Sequence, residues 1–182
     1  QRNANPFAVC MEHWQGDFNI STLIRNANAF NAEKVYYLGK KRFDRRGTVG
    51  SHHYVDLVFL DNDIVGLQNL KNKYTIVAVD NNVPNTQKLN EFDWLSIEKP
   101  PLMLFGEEGV GLTTEALNLA QYAVEIPQFG SVRSLNVGTC SGILMYSYMM
   151  SLQNSKDYDV SPIKKYDEIC SVQSESSQLA LL

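Results

Sequence analysis

The chain alternates short apolar runs with amphipathic stretches. Phe7-Ala8-Val9-Cys10-Met11 is the first run and predicts a buried strand. From about Phe18 to Asn31 the apolar positions Ile20, Leu23, Ile24, Ala27 and Phe30 recur at helical spacing, with Asp17 placed to cap the helix. Arg25 falls beside that stripe, not in it. Lys34-Val35-Tyr36-Tyr37-Leu38, closed by Gly39, predicts a second strand. Strand, helix, strand in this order is a βαβ unit, whose crossover is almost always right-handed. Asp61 to Lys73 reads as a helix with Ile64, Leu67 and Leu70 inward, and Tyr74 to Asp80 as a strand rich in β-branched residues. Asn81 to Pro84 is a turn, and Thr86 to Phe92 is expected to be a short helix.

The stretch from Pro101 to Met150 carries the densest pattern. Leu102-Met103-Leu104-Phe105 feeds Gly106-Glu107-Glu108-Gly109-Val110-Gly111-Leu112, and a short helical pattern follows. A strand-like run, Tyr122 to Pro127, feeds Gly130, Ser131, Val132, Arg133, Ser134, Leu135, Asn136 and Val137. The helix that follows, Leu135 to about Gln153, is crowded with small residues from Gly138 to Gly142. Each strand thus feeds a Gly- or Ser-rich turn that opens a helix. Open α/β sheets bind ligands at such turns, outside the carboxyl ends of the strands. Helix starts present free backbone N–H groups there. The apolar face of Ile143, Leu144, Met145, Tyr148 and Met149 reads on pattern alone as core in preference to a subunit interface.

The glycine run is neither of the two common phosphate-binding motifs. A dinucleotide fingerprint needs Gly-x-Gly-x-x-Gly in the first βα turn, and a P-loop needs Gly-Lys-Ser/Thr. Here the glycines are out of register and lie past mid-chain. Two acids in the turn would repel a pyrophosphate. They suit a cationic ligand, or one with hydroxyl and amino groups.

Length and charge narrow the picture. The 182 residues fit one domain with a full core, expected over residues 1–154 and followed by a polar, Ser-rich arm over 155–182. No apolar run approaches the ~20 residues of a membrane span, and no signal peptide is visible at the start. Cys10, Cys140 and Cys170 are odd in number and widely spaced, so a disulfide framework and a zinc site are not expected and a cytoplasmic location is. The net charge is −4, so a nucleic-acid partner needs a local basic patch. Lys40, Lys41, Arg42, Arg45 and Arg46 against the single acid Asp44 supply one. The loop is either a solvated charged loop or a phosphate-contacting patch. Phe43 and Tyr54 could stack on bases or belong to the core. His52 and His53 are adjacent, and their side chains are expected to diverge.

Three motifs resemble the SpoU-type RNA 2′-O-ribose methyltransferases of the SPOUT superfamily. One is the Asn-to-Arg helix, Asn19 to Arg25. The next is the apolar strand with Gly106, Glu108, Gly111 and Leu112. The third is Ile126-Pro127, Gly130 and Ser134-Leu135-Asn136-Val137 before a small-residue helix. The likeness runs from about Phe7 to Leu152, and Arg45-Arg46-Gly47-Thr48-Val49-Gly50 looks like the loop of the tRNA-methylating branch.

The resemblance implies an α/β sheet flanked by helices with a C-terminal deep trefoil knot. It implies a pocket for S-adenosyl-L-methionine, with S-adenosyl-L-homocysteine as product. Leu104, Phe105, Gly106, Gly111, Ile126 and Leu135 would hold the cofactor. Arg25 matches the family's catalytic arginine, and Glu108, Ser134 and Asn136 would complete the catalytic set. As the bland alternative, Asn136 would only cap backbone groups. Lys40, Lys41, Arg42, Arg45 and Arg46 would contact RNA, with tRNA the first choice and rRNA the second. A homodimer through the Leu135–Gln153 helix is implied, which turns part of its apolar surface toward a partner. The sequence shows no separate N-terminal RNA-binding domain, so selection would rest on the basic loop and the terminal arms. A knotted RNA-binding protein without catalysis is the competing class, and the joint presence of Arg25, Glu108, Ser134 and Asn136 opposes it.

Overall fold

The computed structural model describes residues 4–12, 16–61, 63–107 and 109–155. Eleven regular elements are seen among them. They are β1 (Asn5–Met11), α1 (Asp17–Ala29), β2 (Ala32–Tyr37), β3 (Leu57–Phe59), α2 (Asp63–Leu70), β4 (Thr75–Val79), β5 (Gln87–Lys88), β6 (Pro101–Phe105), α3 (Thr114–Leu119), β7 (Tyr122–Glu125) and α4 (Val137–Asn154). The strands form one sheet in the order β3-β2-β1-β6-β4-β7-β5, and every pairing is parallel.

Parallel strands are covered on both faces, so they read as continuous apolar runs without polar alternation. β1 and β6 show this: Phe7 to Met11 and Leu102 to Phe105 are buried throughout. Successive residues still point to opposite faces. Phe7, Val9, Met11, Val77, Met103 and Phe105 pack with α1 and α4. Ala8, Cys10, Ile76, Ala78, Leu102 and Leu104 pack on the other face with Leu67 of α2 and Ala116 of α3.

Helix α1 lays Ile20, Leu23, Ile24 and Ala27 into the first core, as their spacing predicts, and leaves Arg25 exposed. Its N-cap is Gly16, which has no side chain to cap with, so Asp17 sits in the first turn and not at the cap. There its carboxylate still complements the positive end of the helix dipole. On α4, Leu144, Met145, Tyr148 and Met149 are buried against the sheet and α1, so within the chain this face is core. The Tyr148 hydroxyl donates to the Pro6 carbonyl at 2.9 Å and ties α4 to β1.

Several expectations need correction. Thr86 to Phe92 is not a helix: it holds the edge strand β5 and a 3-10 turn over Leu89–Glu91. Leu89 and Phe92 anchor it in the core, and a three-residue repeat resembles helical spacing over so short a run. Strand β3 escapes the sequence pattern because its three residues are half-buried at the sheet edge. The loop from Lys40 contains two 3-10 turns, Arg45–Thr48 and Ser51–His53. In the second turn the His52 and His53 rings do not diverge but lie 4.0 Å apart. Phe43 packs edge-on against Tyr37 and belongs to the core margin, whereas Tyr54 is 79% exposed. The serine-rich arm expected beyond residue 155 lies outside the described residues.

Candidate ligand cavity and catalytic face

The carboxyl ends of β4, β6 and β7 open onto a cavity of about 400 Å³. Small-molecule sites span roughly 300–1,000 Å³. Its floor is Val79 and Phe105, and its walls are the loops that leave the three strands. The expected cofactor residues Phe105, Gly106, Gly111, Ile126 and Leu135 all line it, as does Ser134. Leu104 does not: it is fully buried on the opposite face of the sheet. Glu108 lies outside the described residues.

The β6–α3 loop is held in a closed shape by its own backbone. Glu107 N–H donates to the Gly111 carbonyl, and Gly111 N–H donates back to the Glu107 carbonyl, at 3.1 and 2.9 Å. A Cβ on Gly106 would stand 2.3 Å from the Gly111 carbonyl carbon, so only glycine allows this closure. Two carboxylates that the motif reading passed over fix the loop to the sheet. Asp80, just past β4, accepts from Asn82 N–H at 2.8 Å and Leu112 N–H at 3.3 Å. Glu12, just past β1 and 1% exposed, accepts from Thr113 N–H at 2.9 Å and from the Thr113 hydroxyl at 2.6 Å. Their signal in the sequence is only an acid directly after an apolar strand.

The wall charges are mixed. Asp80, Glu107 and Glu125 supply carboxylates, and Arg133 supplies a guanidinium. The Arg133 carbonyl accepts from Asn81 Nδ2 at 2.7 Å, which anchors the β7–α4 loop over β4. Gln128 also lines the cavity, and among the described residues its buried Oε1 has no hydrogen-bond partner.

Asn136 and Arg25 lie outside the cavity lining. Asn136 is the N-cap of α4: its Oδ1 accepts from Gly138 N–H at 2.8 Å and Thr139 N–H at 3.4 Å. Asn136 thus caps backbone groups at the start of α4. Its Nδ2 donates to Asn19 Oδ1 at 2.9 Å. Asn26 Nδ2 donates to the Gly138 carbonyl at 2.8 Å and the Ser141 hydroxyl at 2.9 Å. These bonds stitch α1 to the start of α4, and a Cβ on Gly138 would come within 2.7 Å of the Thr22 methyl. The side chain of Arg25, next to Asn26 on α1, makes no ion pair or hydrogen bond among the described residues.

The basic loop sits against the same helix. Ser21 Oγ donates to the Asp44 carbonyl at 3.4 Å. Lys40, Lys41, Arg42, Arg45 and Arg46 are all exposed. Arg46 is committed to Asp44 at 2.5 Å, which holds the Asp44 carboxyl below its usual range, and Lys41 pairs with Asp61 at 3.7 Å. Arg42 and Arg45 make no ion pair among the described residues.

A family model for the SpoU rRNA methylases matches residues 6–146. The chain belongs to the SpoU rRNA methylase family. It is 28% identical over 160 residues to the tRNA (guanosine(18)-2′-O)-methyltransferase of Escherichia coli K12, covering 86% of this chain and 69% of that protein. It is similar to the crystal structure of the A. aeolicus TrmH/SpoU tRNA-modifying enzyme, with a TM-score of 0.75 and 25% identity, over 98% of this chain and 91% of that one. The AdoMet-bound rRNA methyltransferase from Sinorhizobium meliloti shares the fold, with a TM-score of 0.71 and 24% identity over 82% of this chain. The chain spans 58% of that protein's resolved length. For this SpoU-family chain, the matched region contains α1 with Arg25, the cavity loops and the first half of α4. Among the described residues no helix is long and apolar enough to cross a membrane.

Proposed function

We propose that this chain is an S-adenosyl-L-methionine-dependent methyltransferase acting on a ribose 2′-hydroxyl of RNA, with tRNA as first substrate class and rRNA as second. The observation that carries the reading is the cavity at the ends of β4, β6 and β7, next to an α1 that bears an uncommitted arginine. The names of the family relatives support the reaction and the tRNA preference, and the AdoMet-bound neighbour supports the cofactor.

The residues present fit that cofactor. A sulfonium and an ammonium match the carboxylates of Asp80, Glu107 and Glu125, and a carboxylate matches Arg133. The backbone groups of the Gly106–Gly111 loop, with Ile126 and Leu135, would hold the adenosine part. When bound, the cofactor supplies an activated methyl group for in-line attack by the ribose oxygen.

The protein's share is to orient that oxygen and stabilise the charge it develops. A guanidinium holds its proton too firmly for a general base. Arg25 therefore clamps the neighbouring phosphate and stabilises the developing alkoxide. The bonds of Asn19 and Asn26 to the start of α4 fix the helix that carries it. Ser134 and Asn136 would position substrate and loop, and Glu108 would order the cofactor loop or a substrate hydroxyl. Arg42 and Arg45, with Lys40, Lys41 and Arg46, bind RNA phosphates.

The reading includes a C-terminal trefoil knot and a homodimer through α4. Exposed Tyr146 on α4 supports the dimer, with half-buried Ile143 and Met150 at the margin of the core. Labelled methyl transfer to unmodified tRNA and to rRNA, with mass spectrometry of the digested nucleosides, tests the function. A 2′-O-methylnucleoside that disappears with Arg25→Ala supports it. Cofactor binding without transfer to either pool would favour the non-catalytic RNA-binding class.

A further inference from the structure

One residue holds both ends of the loop that joins β6 to α3. Glu12 directly follows β1, the strand beside β6. Its backbone N–H donates to the Phe105 carbonyl at 2.8 Å, where the loop leaves β6. Its carboxylate accepts from Thr113 N–H at 2.9 Å and from the Thr113 hydroxyl at 2.6 Å, where the loop enters α3. That hydroxyl gives its one proton to Glu12 and itself accepts from Ala116 N–H at 3.2 Å, as the cap of α3. Both oxygens of the Glu12 side chain must therefore act as acceptors, which a carboxylate allows and an amide does not. Gly106, Glu107, Gly109 and Gly111 of the loop line the ligand cavity, whereas Glu12 is 1% exposed and lies outside the lining. Glu12 can act on a ligand only through the loop.

We infer that Glu12 is a positioning residue for the cofactor, holding the β6–α3 loop in its ligand-binding shape. The inference rests on the cofactor reading above and adds to it a residue that does not touch the ligand. The loop is glycine-rich, so without a clamp it would sample many shapes. Fixing one shape before the ligand arrives removes that ordering cost from binding. From the other side of β6, Asp80 holds the loop only by the longer bond to Leu112 N–H, at 3.3 Å. Asp80 also lines the cavity, where a cationic ligand competes for its carboxylate. Glu12 is out of the ligand's reach, so its hold persists whether or not the cavity is filled.

The test compares Glu12→Gln, Thr113→Val and the double variant with the parent protein. Glutamine keeps the shape of the side chain but replaces one acceptor with a donor. Valine keeps the backbone N–H of residue 113 but removes the hydroxyl. Each single variant should weaken calorimetric binding of S-adenosylhomocysteine about tenfold. The KM for S-adenosylmethionine should rise with it, while the KM for tRNA and kcat at saturating cofactor stay unchanged. The valine variant also loses the cap of α3, which does not depend on Glu12. Losses that are less than additive in the double variant isolate the clamp from the cap. Thr113→Ser keeps the hydroxyl and should bind like the parent protein. Thermal melts without ligand establish that each variant is folded. Thr113→Val leaves the buried carboxylate in place and carries the test if the glutamine variant does not fold.

Unchanged affinity in a folded Glu12→Gln or Thr113→Val protein would overturn the inference, leaving Glu12 a purely structural role. So would strictly additive losses, or a fall in kcat that saturating cofactor does not restore. If the parent protein itself bound no S-adenosylhomocysteine, the cofactor reading would fall, and this inference with it.

Discussion

Asn136 Nδ2 donates to Asn19 Oδ1 across 2.9 Å, joining the α4 cap to the first turns of α1 from 117 residues away in sequence. The same side chain caps α4 through Oδ1, so one amide serves two elements. Asn136→Ala should cost about 1–2 kcal/mol from the cap alone. Asn136→Asp keeps the cap acceptor but turns a carboxylate oxygen toward the Asn19 oxygen. Urea unfolding of both variants separates the two roles. If the inter-helix bond matters, the aspartate variant is also destabilised and shows reduced methyl transfer.

Arg25 is exposed and its side chain makes no bond among the described residues, so its loss should leave stability within about 0.5 kcal/mol. Arg25→Ala should nonetheless abolish transfer while cofactor affinity holds. Arg25→Lys should rescue little, because an ammonium lacks the planar fork that grips phosphate. Parallel thermal melts, calorimetry and turnover assays check this. Normal turnover in the alanine variant would remove Arg25 from the mechanism.

Gly106→Ala places a methyl group into the Gly111 carbonyl carbon. Backbone has to move, so we expect about 1–3 kcal/mol of destabilisation and a large loss of cofactor affinity. Gly130→Ala is the control, since nothing lies within 4 Å of its added Cβ. Chemical denaturation and calorimetry on the pair give the comparison.

The basic loop contains cations in two states. Arg46 and Lys41 have acidic partners, whereas Arg42 and Arg45 make no ion pair among the described residues. Arg42→Ala and Arg45→Ala should weaken tRNA binding and each lower the salt slope of log K by about one. Arg46→Ala should do less, because RNA must compete with Asp44 for that guanidinium. Filter binding at several salt concentrations measures the slopes.

His52 is held below its ordinary pKa by desolvation, with the neighbouring His53 and Arg45 adding to the effect. The unfolded chain therefore takes up this proton first as pH falls. The stability linked to neutral His52 is full above the unfolded value of 6.5 and is lost as pH drops through the lower folded value. Melting curves from pH 7.5 to 5 should fall less steeply for His52→Gln than for the parent protein. Identical slopes would show that His52 does not contribute.

The legible parts of this protein are those written in local pattern. Phe7 to Met11 and Leu102 to Phe105 read as strands because burial on both faces demands unbroken apolar runs. Ile20, Leu23, Ile24 and Ala27 read as a helix because only a helix gathers them on one side, and the same spacing placed Arg25 beside that stripe. The Gly106 and Ile126 motifs marked the two loops that meet at the cavity. Short edge elements were not legible: β3 and β5 have three and two residues, too few for any period to show. Nor were the cross-chain partners. That Glu12 would receive Thr113 and that Asn19 would receive Asn136 depend on which strand ends become neighbours. Local hydropathy sets whether a side chain is buried. Only the parallel order β1-β6-β4-β7 decides what it meets there.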